Sequence, residues 1–414
     1  MPDQLARGDR QSHSQTPTKV IPNSQKIQQQ KGIWTRRGRC GCLAAGLATS
    51  CALAACSPAG TSGSGTPPAG LGYLHTRGAD IVDSTEQVVR LAGLSWFGME
   101  TDWMAPHGLD RRSLSSMLDQ IAGLGYNTLR IPFASQMLDA GSATRNIDFS
   151  KNPELKDKKP IEVLDKIVEG ASARNLRIIL DRHRPDIGMQ SNLWYTGAYS
   201  EARWISDWQT LATRYKGNAT VIGFDLHNEP HGNATWGSGD MATDWRLAAE
   251  RAGNAIQAIN PDLLFFVEGV EQVNNQYYWW GGNLQGAGNN PVRLGVPNHV
   301  VYSPHDYPAS VYNQSWFSAP NYPSNLPGVW DSYWGYLANQ GTAPIWIGEF
   351  GTKYQTDSDK KWLAALVSYI GSKRLSFSFW CWNPNSGDTG GILQDDWTTV
   401  NADKQAALAP LLGK

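Results

Sequence analysis

Eight short apolar segments, spaced along the chain and mostly separated by stretches of helical periodicity, constrain this sequence more than any other feature. They lie at 88–96, 128–132, 177–181, 221–227, 264–268, 299–303, 345–348 and 375–380. Runs of this length and apolar content read as strands buried on both faces. Between them, 114–124, 161–173, 202–215, 245–259 and 362–370 place apolar residues at three- and four-residue spacing and read as amphipathic helices. Strand–helix alternation predicts a parallel sheet, and eight repeats are the number that closes an α/β (β/α)8 TIM barrel. Only 269–298, rich in Gly, Asn, Tyr and Trp, lacks a helical pattern and reads as an elaborated loop. The sequence holds no internal repeat and leaves no segment for a second globular domain.

The region ahead of the barrel differs in character. Residues 1–56 carry eight Lys or Arg against two Asp, a net +6, which leaves −7 on the rest of a chain whose total is −1. An acidic body without basic runs argues against a nucleic-acid partner. Arg36, Arg37 and Arg39, a weakly apolar run over 40–55 and then Cys56 give the basic, apolar, small-residue order of an export leader. The run is too short and too rich in Ala and Gly for a transmembrane helix. Its end, Leu53-Ala54-Ala55-Cys56, resembles the lipobox of bacterial lipoproteins, which implies lipidation of Cys56 and a membrane-anchored form. Residues 57–70 are almost all Gly, Pro, Ser, Thr and Ala and read as a flexible linker. The expected organisation is an export leader over 1–56, a linker over 57–70 and one barrel domain over 71–414. With the leader removed, only Cys381 remains, so no intramolecular disulfide is expected.

Parallel barrels gather their chemistry where the strands end. Those positions carry Arg130 after the second strand, His183 after the third, Asn228 and Glu229 after the fourth, His305 and Tyr307 after the sixth, Glu349 after the seventh and Trp382 after the eighth. Singly, each is an ordinary loop charge, polar residue or core aromatic. Together they give two carboxylates on opposite sides of a barrel mouth, which is what cleavage of a glycosidic bond needs. Glu229, beside Asn228 and His305, suits the acid/base, a role that requires its pKa to be held up. Glu349 suits the nucleophile, kept ionised by Arg130 and a hydrogen bond from Tyr307. Asn228 is placed for a sugar 2-hydroxyl, and His183 and His305 for orienting the carboxylates and the sugar. Asp181 and Asp225 fall inside strands and read as structural polar pairs. Neither His-x-x-x-His nor His-Glu-x-x-His spacing occurs, so no catalytic metal is expected. The 18 Trp suit extra core, and also a groove that stacks sugar rings. Of those on predicted loops, Trp194, Trp236, Trp316 and Trp330 included, the adjacent Trp279 and Trp280 are the expected subsite residues.

His-Asn-Glu-Pro at 227–230, Gly-Glu-Phe-Gly at 348–351, Asp-Arg-His-Arg-Pro-Asp at 181–186, Ser-Pro-His-Asp-Tyr at 303–307 and Trp-Asn-Pro-Asn-Ser-Gly-Asp-Thr-Gly-Gly at 382–391 resemble the bacterial cellulases of glycoside hydrolase family 5. The resemblance runs from about residue 71 to the C-terminus. It implies a retaining endo-β-1,4-glucanase acting on β-1,4-glucan, with Glu229 as acid/base, Glu349 as nucleophile, Arg130, His183, Asn228, His305, Tyr307 and Trp382 as the remaining site positions, and no cofactor; the leader adds export, and a monomer is expected. Many relatives carry a cellulose-binding module or disulfides; this sequence has neither, which favours soluble or amorphous glucan. Two other readings stand beside it: a β-mannanase or xyloglucanase on the same barrel, and a surface lipoprotein that binds glycan without cleaving it.

Overall fold

Eight parallel strands close into a barrel: β1 (Ala92–Ser95), β2 (Thr128–Ala134), β3 (Arg177–Arg184), β4 (Val221–Asp225), β5 (Leu264–Val267), β6 (Val300–Tyr302, resuming as His305–Asp306), β7 (Trp346–Phe350) and β8 (Ser376–Phe379). The structure, a computed structural model, describes residues 71–413. The expected leader, Cys56 and the linker lie outside the described residues. Each strand pairs with its neighbour in sequence, and Phe379 of β8 lies opposite Leu94 of β1. The sixth strand completes the ring in two halves. Val300 pairs with Phe265 of β5, and beyond the break at Ser303 and Pro304, His305 pairs with Glu349 of β7. Proline has no N–H to give a ladder, so the interruption falls where the strand can change partners.

All eight expected strands are present, with shifted ends. The first is four residues rather than nine, because Val89 N–H donates to Ile81 O at 2.8 Å and Val88 bridges Val82 in the other direction. The five expected helices are α1 (Leu114–Gly123), α2 (Pro160–Ser172), α3 (Glu201–Arg214), α4 (Trp245–Gln257) and, after β7, Asp357–Lys373. Ser113, Ser200 and Thr356 cap three of them by accepting the N–H three residues on. Between β6 and β7 the chain also makes α5 (Leu326–Trp330), a π-helical turn (Asp331–Gly335) and α6 (Tyr336–Asn339). Asp357–Lys373 is then α7, and Ala402–Leu408 is α8. Among the described residues no helix lies between β5 and β6; a small hairpin, Gln272–Val273 with Gln276–Tyr277, stands there instead.

Strand alternation sorts the barrel into layers. Outward residues such as Leu129, Ile131, Ile178, Leu180, Phe224 and Phe265 join the helices in the main core. Inward ones near the strand starts, Leu91, Ile179, Ile222, Leu264, Phe266, Val301 and Trp346, form a second apolar cluster. Leu74 and Ile81, from an antiparallel hairpin of His75–Arg77 and Asp80–Val82, join that cluster and seal the end at which the strands begin. Farther along the same inward rows come Arg130, Asp181, Asp225 and His305, all fully buried. Apolar side chains thus fill one end of the barrel, and ionisable ones the end where the strands finish.

Candidate active site

Arg130 is the hub of that polar end. Its Nε donates to Asp225 Oδ2 at 2.9 Å, Nη1 to Glu349 Oε1 at 2.5 Å, and Nη2 to Asn228 Oδ1 at 2.9 Å and Glu268 Oε1 at 3.2 Å. Asp181 Oδ2 lies 3.1 Å from Nη1. A buried guanidinium persists only when it is paired. Burial opposes the charge, and the carboxylates of Asp181, Asp225, Glu349 and Glu268 outweigh it, holding Arg130 well above its ordinary range. Burial in turn pushes Asp181 and Asp225 up to about 7 against the pull of Arg130. Both aspartates pair with Arg130, Asp181 from inside β3 and Asp225 from the last residue of β4.

The two glutamates meet across the mouth. Glu349, the penultimate residue of β7, takes a second hydrogen bond from the Tyr307 hydroxyl, at 2.6 Å from Oε2. Glu229 follows β4 in a left-handed turn, φ 51°. Its Oε1 faces His305 Nδ1 at 3.0 Å and its Oε2 accepts from Gln190 Nε2 at 2.8 Å. An oxygen of each glutamate and a His305 nitrogen all lie within 4.8 Å of one another. The Glu229 side chain is 16% exposed and that of Glu349 only 4%, so Glu229 is the one more open to the groove. Burial lowers the basicity of His305, but Glu268, Glu349 and the bond to Glu229 outweigh it, so the imidazole titrates well above its ordinary range. Burial raises Glu229, and the hydrogen bond and charge of His305 bring it below the usual value. His305 thus opposes the burial that an acid role at Glu229 draws on. His183 Nδ1 lies 2.7 Å from Asp181 Oδ2, and burial lowers its pKa to about 4, leaving it neutral at physiological pH.

Of the residues singled out from the sequence, Arg130, His183, Asn228, Glu229, His305, Tyr307 and Glu349 come together here. Trp382 does not. It is fully buried with Nε1 3.4 Å from Met117 Sδ of α1, a core position that no sugar can reach. Trp380, two residues earlier, is the indole at the mouth: half-buried, it stacks on His183 at 5.4 Å and 9°. Trp279, expected to resist burial, is 7% exposed and packs edge-on against Tyr307 at 5.9 Å. Trp280 stays half-exposed, with His231 flat against one face at 3.7 Å. Trp194, Trp236 and Trp330 are core residues, and Trp316 is half-buried against Tyr278.

Glu268, Gln190 and Trp380 belong to the site and were not anticipated. Glu268 had a legible signal, since Leu264, Phe266 and Glu268 share one inward row. Gln190 had none. Asn228 Nδ2 is buried and has no hydrogen-bond partner among the described residues, although Oδ1 is held by Arg130. Such a donor is costly unless a ligand completes it. Three His and carboxylate groups have metal-like spacing: Asp181 with His183 and Glu349, Asp225 with Glu268 and His305, and Glu229 with His305 and Glu349. In each the positive charge of Arg130 or His305 already lies against the carboxylates and would repel a cation.

Residues 82–386 match the family model described as cellulase (glycosyl hydrolase family 5). The chain is 55% identical over 346 residues to an endoglucanase of Paenibacillus polymyxa, covering 82% of this chain and 87% of that one. It is 43% identical over 348 residues to the major extracellular endoglucanase of Xanthomonas campestris, covering 82% and 71%. The solved catalytic domain of the Xanthomonas campestris major endoglucanase superposes with a TM-score of 0.79 over 83% of this chain and all of that one. An endocellulase of Pyrococcus horikoshii in complex with cellotetraose superposes at 0.78, with 39% identity, over 82% of this chain and 98% of that one.

Proposed function

The chain belongs to the cellulase family, glycosyl hydrolase family 5, and from that membership we propose that it is an endo-β-1,4-glucanase that cleaves internal bonds of β-1,4-glucan with retention. The observation that carries the mechanism is the pair Glu229 and Glu349, with oxygens within 4.8 Å of each other. That spacing suits direct attack by one carboxylate; an inverting pair stands about 6.5–9.5 Å apart to admit a water. Glu349, paired with Arg130 and aimed by Tyr307, attacks the anomeric carbon. Glu229 protonates the departing glycosidic oxygen. Glu229 then takes a proton from the water that splits the glycosyl ester. His305, 3.0 Å from Glu229, is the group placed to exchange a proton with it. A bound sugar deepens the burial of Glu229, the influence that raises its pKa.

The unpaired Nδ2 of Asn228 supports a bond to the sugar 2-hydroxyl, a contact that strengthens as the transition state forms. Half-buried Trp380, stacked with His183 at 5.4 Å and with Phe97 at 5.6 Å, is the indole placed to pack against the reacting sugar. Soluble or amorphous glucan is the favoured substrate. Export follows the leader, and the extracellular relative supports it. Lipidation at Cys56, a barrel domain over 71–414 and a monomeric state complete the proposal.

The test is release of reducing ends from carboxymethylcellulose, mannan and xyloglucan by the full chain and by Glu349→Gln. The expected result is preference for carboxymethylcellulose, an early fall in viscosity, and a loss of about 10³-fold or more in the variant. Preference for mannan or xyloglucan would move the substrate to that glycan. An unchanged Glu349→Gln enzyme would refute the mechanism.

A further inference from the structure

Glu268 takes no part in the steps above, yet it touches them at three points. It lies one residue beyond β5 and is fully buried. Its Oε2 accepts the backbone N–H of Glu229 at 2.7 Å. Its Oε1 lies 3.2 Å from Arg130 Nη2 and 3.2 Å from His305 Nε2. The other nitrogen of that imidazole faces Glu229 Oε1 at 3.0 Å. Glu268 therefore reaches Glu229 twice, once through the main chain and once across His305.

Each contact bears on what an acid/base needs. The backbone bond acts on a residue in the left-handed region, which side chains other than glycine rarely adopt and which must be held by its surroundings. The ion-pair contact with the imidazole places a second carboxylate behind the group that faces Glu229. Glu268 is itself closely confined: Gly281 has φ +66°, and a Cβ there would stand 2.1 Å from Glu268 Oε2. Trp245 Nε1 of α4 fixes the Glu268 carbonyl at 2.8 Å.

We propose that Glu268 is the positioning residue of the acid/base: it locks the turn that aims Glu229 into the groove and, through His305, keeps the catalytic proton at Glu229's disposal. The proposal rests on the reading of Glu229 as acid/base. The proton passes from His305 Nδ1 to Glu229 Oε1 and on to the leaving oxygen as the anomeric C–O bond breaks. The water that opens the glycosyl ester returns one proton to the pair, which closes the cycle. The groups facing this line are Arg130 from β2, Asp181 and His183 from β3, Asp225 and Glu229 at the end of β4, and Glu349 from β7. Burial pushes Glu268 up, and the carboxylates around His305 push the imidazole up, so both shifts favour the protonated forms.

The experiment measures kcat/KM against pH for the full chain, Glu268→Gln and Glu229→Gln. One substrate is a cello-oligosaccharide; the other is 2,4-dinitrophenyl cellobioside, whose leaving group needs no proton. Glu268→Gln should move the basic limb for the oligosaccharide down by about one pH unit, close to tenfold in rate on that limb. It should leave the activated substrate within about twofold. An unmoved limb, or equal loss on both substrates, would overturn the proposal. Should Glu268→Gln fail to fold, Gly281→Ala, which crowds the carboxylate without removing it, is expected to give the same substrate-selective loss, and equal loss there would overturn it. Glu229→Gln must itself spare the activated substrate. If it does not, the acid/base reading falls and takes this proposal with it; if it does while Glu268→Gln shows no selectivity, only the proposal falls.

Discussion

Trp380 and Trp382 show how two identical side chains, separated by one residue, take opposite parts. Trp380 lies against His183 at the mouth, whereas Trp382 is enclosed by the core beside Met117. Trp380→Ala should lower kcat/KM on cello-oligosaccharides about tenfold or more with little change in unfolding free energy. Trp382→Ala should cost about 3–5 kcal/mol in denaturant unfolding. The reverse pattern would show that the mouth has been misplaced. Seven site residues were legible because Arg, His, Asn, Tyr and Glu at strand ends are uncommon in combination. Trp382 was mistaken for the mouth residue because strand ends shift by a residue or two, and 380 and 382 share the same parity. Glu268 was legible from its inward row, but carboxylates inside a barrel are usually ion-pair partners, and only the geometry around Glu229 gives it more to do.

The tryptophans have a common use at the level of the elements. Trp204 and Trp208 of α3 both donate to the Leu226 carbonyl, at 2.9 and 3.1 Å, and Trp245 of α4 donates to that of Glu268. Trp330 of α5 and Trp362 of α7 converge on the Asp306 carboxylate of β6 at 3.1 and 2.7 Å. Helices thus hold, by indole N–H groups, the strand ends from which the site projects. Buried indoles need such acceptors. Trp208→Phe keeps the ring against Phe224 and removes one donor. The expected cost is about 1 kcal/mol in denaturant unfolding, with the fold retained; no change would mean that Trp204 suffices. The strands and five helices were legible from periodicity. The α5 to α6 segment was not, since Pro327, Gly328 and Gly335 interrupt any helical pattern and only packing against α7 makes it helical.

The whole barrel is closed at one end and reactive at the other. Leu74 and Ile81 are 2% and 3% exposed inside the apolar cluster at the strand starts. Ile81→Asp would place a carboxylate there without a partner and should cost at least about 3 kcal/mol; denaturant unfolding of the variant would measure it, and a change below 1 kcal/mol would mean the hairpin is an ornament. The barrel was legible as a whole because eight strand–helix units admit few other closures, whereas the hairpin, ahead of the expected first strand, has strands of only three residues and no apolar run to mark it. The partners of Arg130 are spread along the chain, at 181, 225, 228, 268 and 349. During synthesis the first four have emerged long before the fifth. A chain that stops short of its seventh strand contains the other four partners of Arg130 but no nucleophile for the guanidinium to aim.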